Sequence, residues 1–287
     1  MAEKHVDELS GVETTGHEWD GIRELNNPMP RWWVWTFYLT ILWAIGYAIA
    51  YPSIPLLTGS TKGLLGYSSR AEVATELADA KMAQAGFIEK IAAASVDQIV
   101  ADPQLSQFAI AAGASAFKVN CAQCHGTGAA GGPGYPNLND DDWLWGGSAE
   151  QIYTTILHGI RYTQDPDTRV SEMPSFADLL TPEQMKQAAA YVVSLSDTPS
   201  DAALVGPGKQ IFADNCAACH GEDARGNRDV GAPNLSDAIW LKGKGEAAII
   251  AQMRAPKHGV MPAWQARLGD TTVKELAVFV HSLGGGE

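Results

Sequence analysis

A mainly α chain is predicted, with one N-terminal membrane-spanning helix followed by two tandem copies of a small helical domain. Three observations lead there. The run Trp32 to Tyr51 is 20 residues without a charge. A block of motifs centred on Cys-X-X-Cys-His occurs twice at matching spacings. The segments between are Ala-rich, helix-prone and punctuated by capping signals.

The apolar run (WWVWTFYLTILWAIGYAIAY) would extend about 30 Å as a helix, the hydrocarbon thickness of a bilayer. Trp32, Trp33, Trp35 and Trp43 crowd its first part and Tyr47 and Tyr51 its end, as interfacial aromatics do. Pro28 and Pro30 precede it, and Pro52 and Pro55 follow. A buried soluble helix seldom presents an apolar surface all round for this length. The segment before it is acidic, with seven Asp or Glu against Lys4, Arg23 and Arg31, which does not fit the n-region of a cleavable signal peptide. Flanking charge does not orient the helix, since Arg23 and Arg31 balance Lys62 and Arg70.

Residues 1–31 read as a mostly irregular cytoplasmic tail, 32–51 as the span, and 52–103 as a periplasmic linker containing helix. In the linker, Ser69-Arg-Ala-Glu72 opens a helix to about Ala94, and Ser95-Val-Asp-Gln98 opens a shorter one. Its apolar face is weak, which favours a stalk over a docked element. Residues 104–198 and 199–287 are the two repeats, divided at the turn-rich Asp197–Asp201 stretch.

In each repeat Gly-X-X-X-Phe (Gly113/Phe117; Gly208/Phe212) stands before Cys121-Ala-Gln-Cys124-His125 or Cys216-Ala-Ala-Cys219-His220. Two thiols at that spacing can add to the two vinyl groups of one porphyrin, and the adjacent histidine then gives the iron an axial nitrogen. Each motif therefore predicts one covalently attached haem c. Disulfides leave the histidines unexplained. A structural zinc wants four close ligands, and a thioredoxin-like pair wants a βαβ context.

Downstream come Pro136-Asn-Leu138 and Pro233-Asn-Leu235, then Trp143 and Trp240, then Met173-Pro and Met261-Pro. Thr181 to Ser196, with Pro182 at N1, and Thr271 to Leu283 close the repeats as helices. Met173 and Met261 are the expected sixth ligands, because both occur as Met-Pro at equivalent points; a soft thioether favours ferrous iron and raises the potential. Met82, Met185 and Met253 read as filler. His158 and His258 are rival ligands at non-equivalent spacings. The carbonyls of Pro136 and Pro233 are placed to accept the proximal histidines' other ring N–H. Trp143 and Trp240 are read as packing on the haem or donating to a propionate. Phe117 with Tyr191, and Phe212 with Phe279, are expected to lock first and last helices within each repeat. Pairing of Met173 with the His125 haem and of Met261 with the His220 haem is the default for a tandem repeat. Ligand exchange between repeats leaves the same signature.

Thirty-three acidic against 20 basic residues give a net charge of −13. That argues against nucleic acid and for basic protein partners.

Taken together, Gly-X-X-X-Phe, Cys-X-X-Cys-His, Pro-Asn-Leu, Met-Pro and the closing helix resemble class I cytochrome c in both repeats. With Trp19-Asp-Gly-Ile22, Leu25-Asn-Asn-Pro28, Pro30, the aromatic-rich span and Leu65-Gly-Tyr-Ser-Ser69, the whole chain resembles the dihaem subunit III (P subunit) of cbb3-type cytochrome c oxidases. The resemblance implies a non-catalytic electron-transfer subunit in the bacterial inner membrane, with its N-terminus cytoplasmic and its haem domains periplasmic. It would take electrons from a donor cytochrome c or a quinol–cytochrome c reductase. It would pass them to a monohaem cytochrome c subunit and then to the catalytic haem–copper subunit, which reduces oxygen and pumps protons in aerobic respiration. A free-standing anchored carrier and a dihaem peroxidase are the alternatives; the peroxidase needs an open iron, which two Met-Pro motifs oppose.

Overall fold

The computed structural model describes residues 5–286. Residues 1–4 and 287, the outer ends of the expected tail and of the second expected haem domain, lie outside the described residues. The chain divides into two compact units, one up to Met82 and one from Ala83 onward.

In the first unit β1 (Thr14–Trp19) and β2 (Ile22–Leu25) form an antiparallel hairpin with Trp19 opposite Ile22. Asp20 and Gly21 between them both have positive φ, 49° and 83°, the geometry of a two-residue turn that matches strand twist. The expected irregular tail is corrected accordingly. α1 (Arg31–Ala50) carries the apolar run, and none of its residues is buried against the rest of the chain. It is long and apolar enough to cross a bilayer. A short hairpin, β3 (Pro55–Leu56) with β4 (Gly59–Ser60), follows. α2 (Ser69–Ala93) begins under the Ser68 hydroxyl, which accepts the Ala71 N–H at 3.3 Å. The cap thus sits one residue before the expected Ser69.

In the second unit α3 (Val96–Ala101) opens with the expected capping box of Ser95 and Gln98. Asp102 caps α4 (Pro103–Asn120), accepting from the Gln104 and Leu105 amides. Ile91, Val96 and Ile99 are fully buried, so this end of the expected linker is core rather than stalk. α5 (Ala122–His125), α6 (Ala149–His158) and α7 (Pro182–Ser194) complete the first repeat. α8 (Val205–Asn215), α9 (Ala217–His220), α10 (Glu246–Arg254), α11 (Gln265–Leu268) and α12 (Asp270–His281) make the second.

The closing helices are exchanged. α12 packs on α4, α6 and α3, while α7 packs on α8 and α10. Phe117 meets Phe279 with centroids 5.4 Å apart, and Tyr191 meets Phe212 at 5.3 Å. The expected pairings of Phe117 with Tyr191 and Phe212 with Phe279 are therefore corrected. Each crossing is close because a glycine faces a backbone carbonyl: a Cβ on Gly113 would lie 2.2 Å from the Glu275 oxygen, and one on Gly208 2.0 Å from that of Gln187. The first core draws on α2 to α6 and α12. The second draws on the Met173–Leu180 segment, α7, α8 and α10, and is thus nested in sequence within the first.

Glu275 on α12 is only 7% exposed, and burial raises its carboxyl from the ordinary 4.5 to about 7. The native state then holds a proton that the unfolded chain releases. The residue costs nothing below the unfolded pKa, and its penalty grows as pH rises toward 7. Glu275→Gln is expected to stabilise the chain by on the order of 2–3 kcal/mol near pH 8 and by almost nothing near pH 4. Thermal unfolding at both pH values checks this; an equal shift at each would contradict it.

Candidate haem sites

α5 and α9 are single turns that continue α4 and α8. The Cys121 amide bonds the Phe117 carbonyl at 2.9 Å and the Cys216 amide that of Phe212 at 2.8 Å. Each turn presents two thiols and a histidine together. All four cysteines are free, with Cys121 and Cys216 partly buried and Cys124 and Cys219 exposed. Burial, with the neighbouring thiol second, pushes Cys121 and Cys216 up to about 11. The two thiols of each turn stand at the spacing that addition to the two vinyl groups of one porphyrin needs.

The following loop makes the same return twice, over 11 residues from His125 to Pro136 and 13 from His220 to Pro233. Ala129 and Ala224 have φ of 59° and 60°, and their carbonyls accept the Leu138 and Leu235 amides, both at 2.8 Å. That return brings the prolyl carbonyls to the histidines. His125 Nδ1 lies 3.1 Å from the Pro136 oxygen and His220 Nδ1 3.0 Å from that of Pro233. A carbonyl only accepts, so Nδ1 carries the proton and Nε2 keeps its lone pair for a metal. Burial lowers both histidine pKa values, against the prolyl carbonyls, which favours the neutral ligand form.

The methionine loops are exchanged like the helices. Met261 exchanges two backbone bonds with Ile160, at 2.9 and 3.0 Å, and the Trp264 amide donates to Ile156 on α6. Met261 packs on the core that holds Cys121, Ala122 and Phe117. Met173 instead donates its N–H to His258 Nε2 at 3.0 Å, and the Phe176 amide donates to Met253 on α10. It packs with Phe176, Met253 and Ile249, and Ile249 also borders the group containing Cys216. Packing thus runs across the repeats rather than within them: Met261 shares a core with Cys121, and Met173 is linked to Cys216 through Ile249.

Each rival histidine makes a polar contact through one ring nitrogen. His258 spends Nε2 on the Met173 amide, and His158 Nδ1 faces Asp165 at 3.2 Å. Met185 and Met253 are buried filler as expected, while Met82 is exposed. Trp143 Nε1 donates to the Gly285 carbonyl. Trp240 Nε1 is buried without a hydrogen-bond partner among the described residues. An orphaned indole donor beside a haem-type motif fits a missing acceptor such as a propionate. The donor sets and this orphan fit haem c. Sequence reasoning passes over Trp145, which lies under both Arg161 and Arg169 at 5.8 and 5.6 Å; nothing in its spacing marks it.

Comparison with known proteins agrees with this chemistry. Residues 11–58 match the N-terminal domain of cytochrome oxidase-cbb3, FixP. Residues 108–192 and 203–280 match the family described as cytochrome c oxidase, cbb3-type, subunit III. The chain is 75% identical over 284 residues to the cbb3-type cytochrome c oxidase subunit FixP of Rhizobium meliloti (strain 1021), covering 99% of this chain and 98% of that protein. It is 55% identical over 276 residues to the subunit CcoP of Cereibacter sphaeroides, covering 96% and 95%. Identity to CcoP of Azospirillum sp. (strain B510) is 50% over 297 residues, covering both chains fully.

Proposed function

The chain belongs to the family of subunit III of cbb3-type cytochrome c oxidase, and from that membership we propose that it is the oxidase's membrane-anchored dihaem electron relay. The observation that supports this is the packing across the repeats, which links each Cys-X-X-Cys-His turn to the other repeat's Met-Pro loop, directly for Met261 and through Ile249 for Met173. Cys121 and Cys124 would hold one haem c, with His125 and Met261 as its iron ligands. Cys216 and Cys219 would hold the other, with His220 and Met173. Bound haem supplies a reversible one-electron iron couple.

The chain's residues then do three things. Pro136 and Pro233 fix the imidazole tautomer and orientation. The methionine loops are held on backbone and imidazole anchors, which keeps the ligand geometry the same in both oxidation states. The buried cores beneath exclude water, favouring the less charged ferrous form. An iron held by a histidine and a methionine at each site would offer no open position, which would leave oxygen chemistry to another subunit.

α1 anchors the relay in the membrane. The tail lies on the cytoplasmic side and the haem cores on the periplasmic side, where covalent attachment takes place. A donor cytochrome c delivers electrons, which pass to the monohaem and catalytic haem–copper subunits; the net charge of −13 suits a basic donor. Gentle detergent extraction through a C-terminal tag tests the assignment. Co-purifying b-type haem, copper and cyanide-sensitive oxygen uptake is the expected result. A lone protein with two c-type haems, under conditions that keep other respiratory complexes whole, would favour a free-standing carrier.

A further inference from the structure

Arg161 belongs to no motif, yet its side chain reaches into both repeats. Its Nε donates to the Ser171 carbonyl at 2.7 Å and its Nη1 to the Gly259 carbonyl at 3.0 Å. Ser171 stands two residues before Met173, and Gly259 two before Met261. One guanidinium therefore grips both methionine loops at equivalent points.

Its surroundings hold it there. Arg161 has φ +54°, a left-handed backbone that side chains adopt only where the fold imposes it. Its own N–H bonds the Arg169 carbonyl at 2.9 Å, and the preceding Ile160 is doubly bonded to Met261. The guanidinium lies 5.8 Å from the Trp145 ring centroid, a cation–π distance. Burial lowers its pKa from the ordinary value, and Glu172 acts against that shift. A guanidinium remains charged across the physiological range, and its donors form a rigid planar fork. Movement of one carbonyl is thereby passed to the other.

We propose that Arg161 is a positioning residue shared by the two methionine loops, so that loosening of one haem's sixth ligand is transmitted to the other. This rests on the reading of Met173 and Met261 as axial ligands. The two sites then open and tighten together rather than as independent modules.

The test uses the full chain in detergent with both haems attached. Carbon monoxide must displace a methionine to bind ferrous iron, so its uptake rate reports ligand lability at each haem. In Arg161→Gln both haems should take up carbon monoxide about tenfold faster, the effect of losing a charge-assisted hydrogen bond at each loop. Both midpoint potentials should fall together, with haem content unchanged. Acceleration of one haem alone, or of neither, overturns the proposal. Should Arg161→Gln lose haem, Arg161→Lys decides. It keeps the charge on a single nitrogen that does not span both carbonyls, so at least one haem should stay fast; wild-type rates at both overturn the proposal. Met173→Leu and Met261→Leu serve as controls, each removing about half of the thioether-to-ferric-iron absorption. A wild-type chain without that absorption would overturn the axial reading itself, and the proposal with it.

Discussion

Replacing Met261 by leucine is expected to strip the sixth ligand from the haem at Cys121 and Cys124, in the other repeat. Met261 packs on the core of that first motif and is doubly bonded to Ile160. Among the described residues it shares no hydrophobic core with Cys216. Loss of a thioether removes the ligand that stabilises ferrous iron. The affected potential should drop by on the order of a few tenths of a volt, within the ~0.8 V range that axial ligation spans. The cleanest measurement is a redox titration in a chain whose Cys216 and Cys219 are alanine, leaving one haem. There Met261→Leu should shift the potential and Met173→Leu should not. The reverse result would restore pairing within each repeat.

Gly113→Ala is expected to be strongly destabilising for a single added methyl. The added Cβ would sit 2.2 Å from the Glu275 carbonyl and 2.7 Å from the Phe279 Cβ. Neither can swing aside, because both belong to the frame of α12 rather than to a side-chain tip. The helices must separate, at a cost of about 3 kcal/mol. That separation also unseats Phe279 from Phe117 and loosens the segment leading back to Met261. A melting temperature several degrees lower, with the Met261-dependent spectral signature weakened before the other, is the expected outcome. Unchanged melting would mean that α4 and α12 do not cross as closely as described. Gly208→Ala, facing the Gln187 carbonyl, should do the same at the second core.

Local chemistry made much of this legible in the sequence. The span, both haem turns, the prolyl carbonyls beneath the histidines, and the capping boxes at Ser95 and Thr181 depend on residues close together in the chain. The Asp20-Gly21 turn was equally local, and the Trp19–Ile22 hairpin could have been read from it. Helix partnership was not legible. Phe117 and Phe212 follow their glycines at the same spacing, and Tyr191 and Phe279 offer interchangeable aromatic faces. A repeat that closes on itself and one that closes on its neighbour have the same pattern. Only long-range packing separates them, through details such as the Tyr153 hydroxyl meeting Asp270. The grip of Arg161 was hidden for the same reason, since it joins carbonyls 88 residues apart along the chain (171 to 259).

The nesting of one core within the other also sets an order of maturation. A chain translocated in sequence order beyond α1 delivers Cys121, Cys124 and His125 first, but their core waits for Met261 and for α12 at the far end. The second core draws on residues from Met173 to His258 and has every part it needs before Met261 emerges. Enclosure therefore runs opposite to delivery, although domains usually complete themselves from the N-terminus onward. The first motif to be delivered is therefore the last to be enclosed.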